Sequence, residues 1–358
     1  MQGDLRTPSD HLAAAGLRAL SGLYGLALRA HLGGYRLGLA KRTRLEAVVI
    51  SIGNLTVGGT GKTTSCLAVA EWLQQQGRRG AFLSRGYRGE GESGALIVSE
   101  GAGPIVDAQA AGDEPYLVAR ALPGVSVLVG RDRRRTGALA VERLGADTIV
   151  LDDGFQYQRL VRDIDIVLVD AVNPFGYDSL VPRGLLREPV SHLARAHAVW
   201  LTHCDLVDRE VLARIRARVA AVAPRARIWE TQHAAVALRS LTGGERCSLA
   251  ALSGRRVCAL SSLGNPLAFE RALESLGAEV AEAARFPDHH RYTAAEVRGV
   301  GRQGSAEWIV TTEKDAVRLP VEALKRPTWV LEIRLAPQPG NPALAEELTW
   351  LLETHNPR

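Results

Sequence analysis

The sequence is poor in several features that mark common protein classes. Its four cysteines stand far apart, with none of the C-x-x-C spacing of zinc sites or redox dithiols. Aromatic residues make up only 5% of the chain, and no RNA-recognition or zinc-knuckle spacing accompanies them, so we expect no nucleic-acid partner. No uncharged apolar stretch approaches the roughly 20 residues that a membrane-spanning helix requires. These absences favour a globular protein in a reducing, cytoplasmic setting.

Positive charge is concentrated at the start of the chain. The formal net charge is +5, which suits an anionic partner such as a phospholipid surface or a phosphorylated substrate. Within residues 1–45, seven Lys or Arg accompany only two acidic residues. The sequence therefore predicts an electropositive N-terminal segment.

The pattern of residues 11–39 predicts an amphipathic helix within this N-terminal segment. The segment is rich in Leu and Ala, and Arg18, Arg29 and Arg36 are separated by 11 and 7 residues, steps that return to one helix face. We expect the Gly33-Gly34 pair to break the helix before Arg36. A narrow cationic stripe with a broad apolar remainder suits a membrane interface. Taken alone, it equally suits packing of the leucines onto the sheet of the same domain.

The most informative segment is TVGGTGKTT, which follows an apolar run at 48–53. A strand, a glycine-rich loop and a helix in this order hold the phosphates of a nucleoside triphosphate through backbone N–H groups and the helix N-terminus. The match to G-x-x-x-x-G-K-[ST] has one departure, because Thr56 occupies the first glycine position. We therefore predict a modified P-loop rather than an ordinary glycine-rich turn, with the Thr63 hydroxyl on Mg2+. The residues expected to surround the nucleotide are Gly58, Gly59, Thr60, Gly61, Lys62, Thr63 and Thr64.

Alternating strand and helix patterns set the expected fold. From Glu46 onward, short apolar runs alternate with segments of helical spacing, which is typical of an α/β fold with a mostly parallel sheet and helices on both faces. A second, smaller α/β domain is expected. We predict an N-terminal amphipathic segment at 1–45, a P-loop core domain at 46–228, a linker at 229–250 and the second domain with a C-terminal helix at 251–358.

Two adjacent acids follow an apolar run and suggest a metal site. Asp152 and Asp153 come directly after the predicted strand Thr148–Leu151. A carboxylate at the end of a strand beside a P-loop is the Walker-B arrangement, which holds Mg2+ directly or through water. The alternative is a pair of turn acids before Gly154.

Asp113 and the Asp288-His289 pair are candidates for proton transfer. A loop histidine beside an aspartate can take a proton from a hydroxyl group. Surface histidines are also common, and Asp113 is equally well placed as a helix N-cap with Pro115 in the first turn. The residues alone leave both alternatives open.

Arginines in loops are candidates for phosphate contacts. Arg85 and Arg88 lie among glycines, and Arg183 and Arg187 lie in a segment rich in Pro and Gly. Either pair can bind phosphate or stabilise charge during phosphoryl transfer. The cluster at 131–135 fits a solvated face equally well.

Seven motifs occur in order between about residue 48 and residue 318: GNLTVGGTGKT, SRGYRG, GDEPYL, LDDGFQ, PRGLLREP, FPDHH and TTEKDAVR. Together they resemble the tetraacyldisaccharide 4'-kinase family of lipid A biosynthesis. The resemblance implies an enzyme of Gram-negative bacteria that moves the γ-phosphate of ATP onto the 4'-hydroxyl of the lipid A disaccharide 1-phosphate, forming lipid IVA. It also implies a peripheral position on the cytoplasmic face of the inner membrane. We expect no obligate protein partner.

The resemblance also implies roles for individual residues. Lys62 and Thr63 would contact phosphates and Mg2+, and Asp152 and Asp153 would lie around the metal. Arg187 with Glu188 would face this phosphate and metal region.

Asp113 and His289 would form the base dyad of the transfer reaction. His289 is chosen over His290 because it directly follows Asp288, as in the Asp-His pair of the family. The sequence departs from the family pattern at Tyr157, where many relatives have histidine, so a role of that histidine cannot be carried over. It also has Thr64 where many relatives have proline.

The main alternative is a P-loop GTPase or a metallochaperone-like switch protein. Such a protein needs a guanine-reading Asn-Lys-x-Asp after a late strand. The nearest candidate, Thr202-His203-Cys204-Asp205, lacks the lysine. A non-catalytic membrane adaptor that only binds nucleotide would not need the acids and the Asp-His pair.

Overall fold

A computed structural model describes residues 8–87, 89–302 and 305–355. The strands of these ranges are β1 Val48–Asn54, β2 Gly80–Ser84, β3 Leu96–Glu100, β4 Ser126–Val129, β5 Thr148–Asp152, β6 Ile164–Asp170, β7 Ala198–Thr202, β8 Arg227–Ser240, β9 Arg246–Cys247, β10 Arg256–Ser261, β11 Glu279–Arg285, β12 Trp308–Thr312 and β13 Thr328–Pro337. The α-helices are α1 Pro8–Arg36, α2 Lys62–Gln75, α3 Ala108–Ala111, α4 Asp113–Ala121, α5 Arg133–Glu142, α6 Arg209–Val222, α7 Pro266–Ser275, α8 Ala294–Gly299, α9 Glu313–Ala316 and α10 Leu344–His355.

All of these strands belong to one sheet. Their order is β11-β10-β12-β13-β8-β7-β6-β1-β5-β2-β4-β3, and β9 pairs with β8. Neighbours are parallel except for three antiparallel pairs, which are β3 with β4, β8 with β13 and β8 with β9. The predicted α/β fold with a mostly parallel sheet is confirmed.

Strand β1 occupies the centre of the P-loop half of the sheet. All of its residues are buried, and it pairs in parallel with β5 on one side and β6 on the other. A Val- and Ile-rich run without polar alternation is what a strand covered on both faces requires. Because parallel strands end at the same edge of a sheet, Asn54, Asp152 and Asp170 come out at one edge.

Strand β8 joins the two halves of the sheet. Its first residues pair in parallel with β7, and residues 231–240 pair antiparallel with β13. The segment predicted as a linker, 229–250, therefore begins inside a strand. Helix α10 then returns to the P-loop half, where Leu348 and Leu351 share a core with Trp200 and Trp229. The division into domains remains a prediction.

Helix α1 continues through Gly33 and Gly34 to Arg36, so the predicted break is wrong. Contacts with the rest of the chain hold the helix in place. The Ser21 hydroxyl donates to the carbonyl of Leu180 at 2.9 Å, and Leu32 is buried. Such packing outweighs the roughly 1 kcal/mol that each glycine costs in a helix.

The side of α1 that faces away from these contacts is apolar. Leu20, Leu23 and Leu26 are exposed by 54%, 64% and 60%. In the part of the chain that the structure describes, no helix combines the length and apolarity needed to cross a bilayer.

Candidate active site

The predicted P-loop forms a tight turn between β1 and α2. Gly58 and Gly61 have φ angles of +115° and +82°, which L side chains rarely adopt. The Asn54 amide donates to the Thr60 hydroxyl at 2.9 Å. A Cβ atom on Gly61 would lie only 2.4 Å from Cε1 of His233. This position therefore requires glycine both for its backbone angle and for its space.

Asp153 lies between two cations next to this turn. Arg187 donates two hydrogen bonds to its carboxylate, at 2.8 Å and 2.6 Å, and also contacts the Asn54 side chain. Lys62 Nζ lies 3.9 Å from Asp153 Oδ1. Burial raises the pKa of Asp153, but the hydrogen bonds and charge of Arg187 and the charge of Lys62 outweigh it and lower this pKa to about 2. Asp153 is therefore ionised.

Asp152 sits in a different electrostatic environment at the end of β5. Its side chain is buried and accepts a hydrogen bond from the Ser84 hydroxyl at 2.9 Å. Burial, followed by the nearby charges of Glu114 and Asp153, raises the pKa of Asp152 to about 7. Near neutral pH this carboxyl is poised to ionise when a cation approaches.

The raised pKa of Asp152 predicts a dependence of stability on pH. Between its unfolded pKa near 4 and its folded pKa of about 7, the folded state holds more protons, so stability falls as pH rises through this window. Asp152→Asn removes this titration. We expect the difference in the free energy of unfolding, variant minus wild type, to increase by about 2 to 3 kcal/mol from pH 5 to pH 8. The difference increases because wild type loses stability through this titration and the variant does not. Urea unfolding without nucleotide and Mg2+ measures this difference.

Asp153→Asn is the matched control. Because the pKa of Asp153 is lowered to about 2, its contribution to stability is lost only below the unfolded pKa near 4. This variant keeps the Asp152 carboxyl and loses only the contribution of the Asp153 charge to the pKa of Asp152, so its difference from wild type should change less between pH 5 and pH 8 than that of Asp152→Asn. A pH-independent difference for Asp152→Asn would contradict the prediction.

The structure brings Asp113 and His289 together across the cleft between the two halves. His289 Nδ1 lies 3.2 Å from Asp113 Oδ2. Helix α4 begins at Asp113 with Gly112 as its N-cap, so the alternative of an Asp113 cap is wrong. His290 instead contacts Glu296 at 3.2 Å.

A second pair of charges crosses the same cleft and was not predicted as part of the site. Lys314 Nζ lies 2.7 Å from Glu114 Oε1, although the two residues are 200 positions apart in the chain. Burial raises the pKa of Glu114, but Lys314 and a hydrogen bond with Thr63 lower it overall. Arg318 Nε also lies 3.6 Å from Asp113. All four charged residues lie in the motifs GDEPYL or TTEKDAVR. These two motifs therefore already contained the residues of this contact, although the sequence analysis did not assign them to the site.

Glu188 has its own partners. It is fully buried, and its Oε2 lies 2.6 Å from both His192 Nδ1 and Arg195 Nη2. Its Oε1 is buried without a hydrogen-bond partner among the described residues. The predicted metal role of Glu188 stays a prediction. No group of three or more His, Cys, Asp or Glu side chains in the described ranges is arranged to hold a metal ion.

A strongly basic cavity of about 300 Å³ adjoins Asp153. Arg133 is only 7% exposed and lies over the Tyr157 ring, with 4.4 Å from its Cζ atom to the ring centroid. The Tyr157 hydroxyl donates to Asp132 at 2.9 Å. The interpretation of 131–135 as a solvated face is therefore wrong for Arg133. Arg88 lies outside the described residues. The cavity is lined by Arg85, Arg131, Arg133, Asp153, Gln156, Tyr157, Arg159 and Arg187.

A second cavity, of about 180 Å³, lies between the two halves beside the start of α2. Most of its lining is apolar, and Leu263 and Phe269 contribute from the second half. Thr63 and Thr64 line it from the P-loop side.

Comparison with known proteins decides between the alternatives. The sequence model of the tetraacyldisaccharide-1-P 4'-kinase family, LpxK, matches residues 13–353. The chain belongs to the LpxK family. It is 52% identical over 311 residues to a tetraacyldisaccharide 4'-kinase of Anaeromyxobacter dehalogenans strain 2CP-1, covering 86% of this chain and 80% of that protein. A relative from Syntrophus aciditrophicus with the same name is 42% identical, covering 84% and 83%.

A solved LpxK structure is also similar. The crystal structure of LpxK from Aquifex aeolicus in complex with ATP superposes with a TM-score of 0.78 and is 31% identical in sequence. The match covers 96% of this chain and 99% of that chain. The LpxK family thus accounts for nearly the whole chain, including both halves of the sheet.

Proposed function

We propose that this LpxK family member transfers the γ-phosphate of ATP to the 4'-hydroxyl of the tetraacyldisaccharide 1-phosphate precursor of lipid A, forming lipid IVA. One observation carries the proposal. A P-loop and two carboxylates share one sheet edge, and a carboxylate–histidine pair, Asp113 and His289, spans the neighbouring cleft. The names of the relatives and the ATP complex of the Aquifex aeolicus protein support the same reaction.

The residues of the P-loop edge fit a Mg2+–nucleotide complex. Lys62 would contact phosphate oxygens, and the Thr63 hydroxyl with Asp152 and Asp153 would hold the metal. The raised pKa of Asp152 fits a carboxyl that ionises beside a dication. When bound, Mg2+ neutralises charge on the phosphate oxygens during transfer. Arg187, fixed by Asp153, would add positive charge at the same place.

The Asp113–His289 pair fits the proton transfer that the acceptor hydroxyl requires. Asp113 contacts Nδ1 and thereby orients the imidazole. Nε2 is then the nitrogen that can accept the hydroxyl proton. The Asp288 carboxylate lies 4.0 Å from Nε2, which is too far for a hydrogen bond that would occupy this nitrogen. His289 would thus act as the general base and Asp113 as its orienting partner.

The basic cavity beside Asp153 fits the anionic part of the acceptor. Its lining brings five arginines together next to the proposed phosphate site. Such a concentration of guanidinium groups favours a phosphate ester through charge-assisted, bidentate hydrogen bonds. We assign this cavity to the 1-phosphate end of the disaccharide.

The exposed face of α1 fits a membrane surface. Leu20, Leu23 and Leu26 face away from the protein body, and Arg18 and Arg29 are exposed on the same helix. Leucines can enter the acyl boundary while arginines contact anionic lipid head groups. We therefore assign the protein to the cytoplasmic face of the inner membrane of a Gram-negative bacterium, as a peripheral protein.

Removing two of these leucines should weaken membrane binding. We expect the double variant Leu23→Ser/Leu26→Ser to bind vesicles of phosphatidylglycerol and phosphatidylethanolamine at least 10-fold more weakly, because each buried leucine contributes about 1.5 to 3 kcal/mol. Vesicle co-sedimentation measures the affinity. The double variant Ile105→Ser/Leu267→Ser removes two exposed apolar side chains elsewhere and should bind like wild type. Equal binding by both double variants would exclude α1 as the contact surface.

The GTPase or metallochaperone alternative is not favoured. The family match covers residues 13–353. In addition, the segment that begins at the last residue of β7 reads Thr-His-Cys-Asp and has no lysine for a guanine-reading motif.

Transfer of labelled phosphate tests the proposed reaction. The full chain is incubated in detergent micelles with γ-labelled ATP, Mg2+ and the tetraacyldisaccharide 1-phosphate, with Lys62→Ala as the blank. We expect label in a bisphosphorylated lipid only with the intact protein. ATP hydrolysis without labelled lipid, or labelling with GTP but not ATP, would contradict the proposal.

A further inference from the structure

A buried arginine lies beside the Asp113–His289 pair. Arg318 follows helix α9 in the second half of the sheet, and its side chain is only 9% exposed. Its Nε atom lies 3.6 Å from Asp113 Oδ2. The same carboxylate oxygen lies 3.2 Å from His289 Nδ1. One oxygen of Asp113 thus faces both the imidazole and the guanidinium.

The guanidinium also holds the loop that carries His289. Arg318 Nη1 donates a hydrogen bond to the backbone carbonyl of His290 at 3.1 Å. The preceding residue, His289, has a φ angle of +61°, which residues other than glycine rarely adopt. A backbone conformation of this kind persists only where the surrounding structure fixes it. The bond from Arg318, one residue after the strained position, is such a constraint.

A buried carboxylate fixes the other side of this guanidinium. Asp315 is fully buried, and its Oδ1 accepts hydrogen bonds from Arg318 Nη2 at 2.8 Å and from the Tyr292 hydroxyl at 3.0 Å. Its Oδ2 accepts from the Thr312 hydroxyl at 2.8 Å and from the Ser262 N–H at 3.1 Å. The Ser262 hydroxyl also accepts a bond from Arg318 Nη2, at 3.0 Å. All of these partners belong to the second half, so they anchor Arg318 there.

One nitrogen of Arg318 is left without a partner. Nε is buried and makes no hydrogen bond within the residues that the structure describes. A buried donor without a partner is uncommon, and it costs free energy. Asp113 Oδ2, at 3.6 Å, lies just beyond hydrogen-bond distance from this nitrogen. A small further approach of the two halves would complete a bond between them.

We infer that Arg318 is a positioning residue of the base dyad, which sets Asp113 and His289 relative to each other across the cleft. The inference rests on the proposed phosphate transfer. Nη1 fixes the loop of His289, Nε faces Asp113, and Asp315 holds the guanidinium in the orientation that serves both. Arg318 itself moves no proton, because a guanidinium stays protonated in proteins. The simpler alternative is that Arg318 and Asp315 form an ion pair that only stabilises the second half.

Arg318→Lys tests the inference by changing geometry while keeping charge. A lysine keeps a positive charge beside the buried Asp315. Its single ammonium group cannot reproduce the fork that reaches His290, Ser262 and Asp113 together. In detergent micelles with the full chain, we expect kcat for transfer from γ-labelled ATP to the tetraacyldisaccharide 1-phosphate to fall at least 10-fold, because slight misplacement of reacting groups is costly. The KM for ATP should change less than about 3-fold, since the P-loop lies in the other half.

The same substitution in a His289→Ala background separates positioning from stability. If Arg318 acts through the dyad, its replacement has nothing left to misplace once the imidazole is gone. We therefore expect Arg318→Lys to lower the residual kcat of His289→Ala by less than about 3-fold. An ion pair that only stabilises the fold would reduce kcat by the same factor in both backgrounds.

Ser262→Ala is a second variant that perturbs the same anchor. It removes a hydroxyl that contacts both Arg318 and Asp315 but changes no charge. It should lower kcat by about 3- to 10-fold in the wild-type background and by less than about 2-fold in His289→Ala. Should Arg318→Lys fail to fold, these two rates decide in its place.

Arg239→Lys is the matched control. Arg239 on β8 also donates to a buried acid of the second half, Glu332 on β13, at 3.0 Å. The substitution makes the same chemical change in a pair that has no part in the proposed positioning, so it should keep the wild-type kcat. Urea unfolding of each variant reports its stability separately.

Two results would overturn the inference. One is a kcat of Arg318→Lys within about 3-fold of wild type, and the other is a loss that recurs at full size in the His289→Ala background. Absence of labelled lipid with the wild-type protein would instead contradict the proposed transfer itself, and the inference would fall with it. Active wild type together with a normal kcat in His289→Ala would contradict the dyad and, with it, the positioning role.

Discussion

Replacing His289 with alanine is expected to lower kcat by at least 100-fold while leaving the affinity for ATP nearly unchanged. The imidazole lies 3.2 Å from Asp113 and, in the proposed reaction, accepts the proton of the attacking hydroxyl. General base catalysis typically contributes 10²–10⁴-fold. In the proposed reaction the other half of the sheet holds the nucleotide, so ATP binding should not depend on this ring. Phosphate transfer at saturating ATP and lipid, with ATP binding measured separately, checks the prediction.

A double variant tests whether Asp113 and His289 act as a unit. If Asp113 works by orienting the imidazole, Asp113→Ala should also cost about 100-fold, and the double variant should be little worse than either single variant. His290→Asn is the matched control, because this neighbouring histidine contacts Glu296 instead, and it should change kcat less than 5-fold. Small losses that multiply in the double variant would contradict the dyad.

Replacing Lys62 with alanine is expected to reduce kcat/KM by at least 1,000-fold, a loss of about 4 kcal/mol of transition-state stabilisation. Lys62 is the first residue of α2 and its nearest carboxylate oxygen, on Asp153, is 3.9 Å away. Its charge is therefore only loosely paired and remains available to phosphate oxygens, where charge develops during transfer. Initial rates at several ATP concentrations measure the loss.

Lys314 offers a lysine control from the opposite wall of the cleft. Its Nζ lies 2.7 Å from Glu114, so its charge is largely neutralised within the protein. Lys314→Ala should therefore reduce kcat/KM by no more than about 30-fold, roughly 2 kcal/mol. Equal losses in the two variants would show that the P-loop lysine has no special role.

Contiguous segments were predictable because local physics determines them. Strand β1 is a Val- and Ile-rich run buried on both faces, and the positive φ angles of Gly58 and Gly61 follow from the glycine-rich turn. Asp152 is the last residue of a strand, as the apolar run before it predicted. The same local reasoning was wrong for Gly33-Gly34, where the helix continues beside the buried Leu32.

Contacts between distant segments were not predictable in the same way. Glu114 meets Lys314 only because the pairing of β8 with β13 brings the second half over α4. The contact of His233 with Gly61 depends on where β8 passes the P-loop, which no spacing in the sequence encodes. The resemblance did pair Asp113 with His289, although composition and periodicity alone left both residues with ordinary alternatives.

The return of α10 to the P-loop half limits how the chain can be divided. A fragment ending at 228 would contain the whole predicted core domain, 46–228, but would lack Leu348 and Leu351, which pack in the same core as Trp200. It would also lose Glu347, whose carboxylate pairs with Arg227 at 2.7 Å. The exposed core would favour self-association over independent folding. We therefore expect fragments of the P-loop half alone to be poor substitutes for the intact chain.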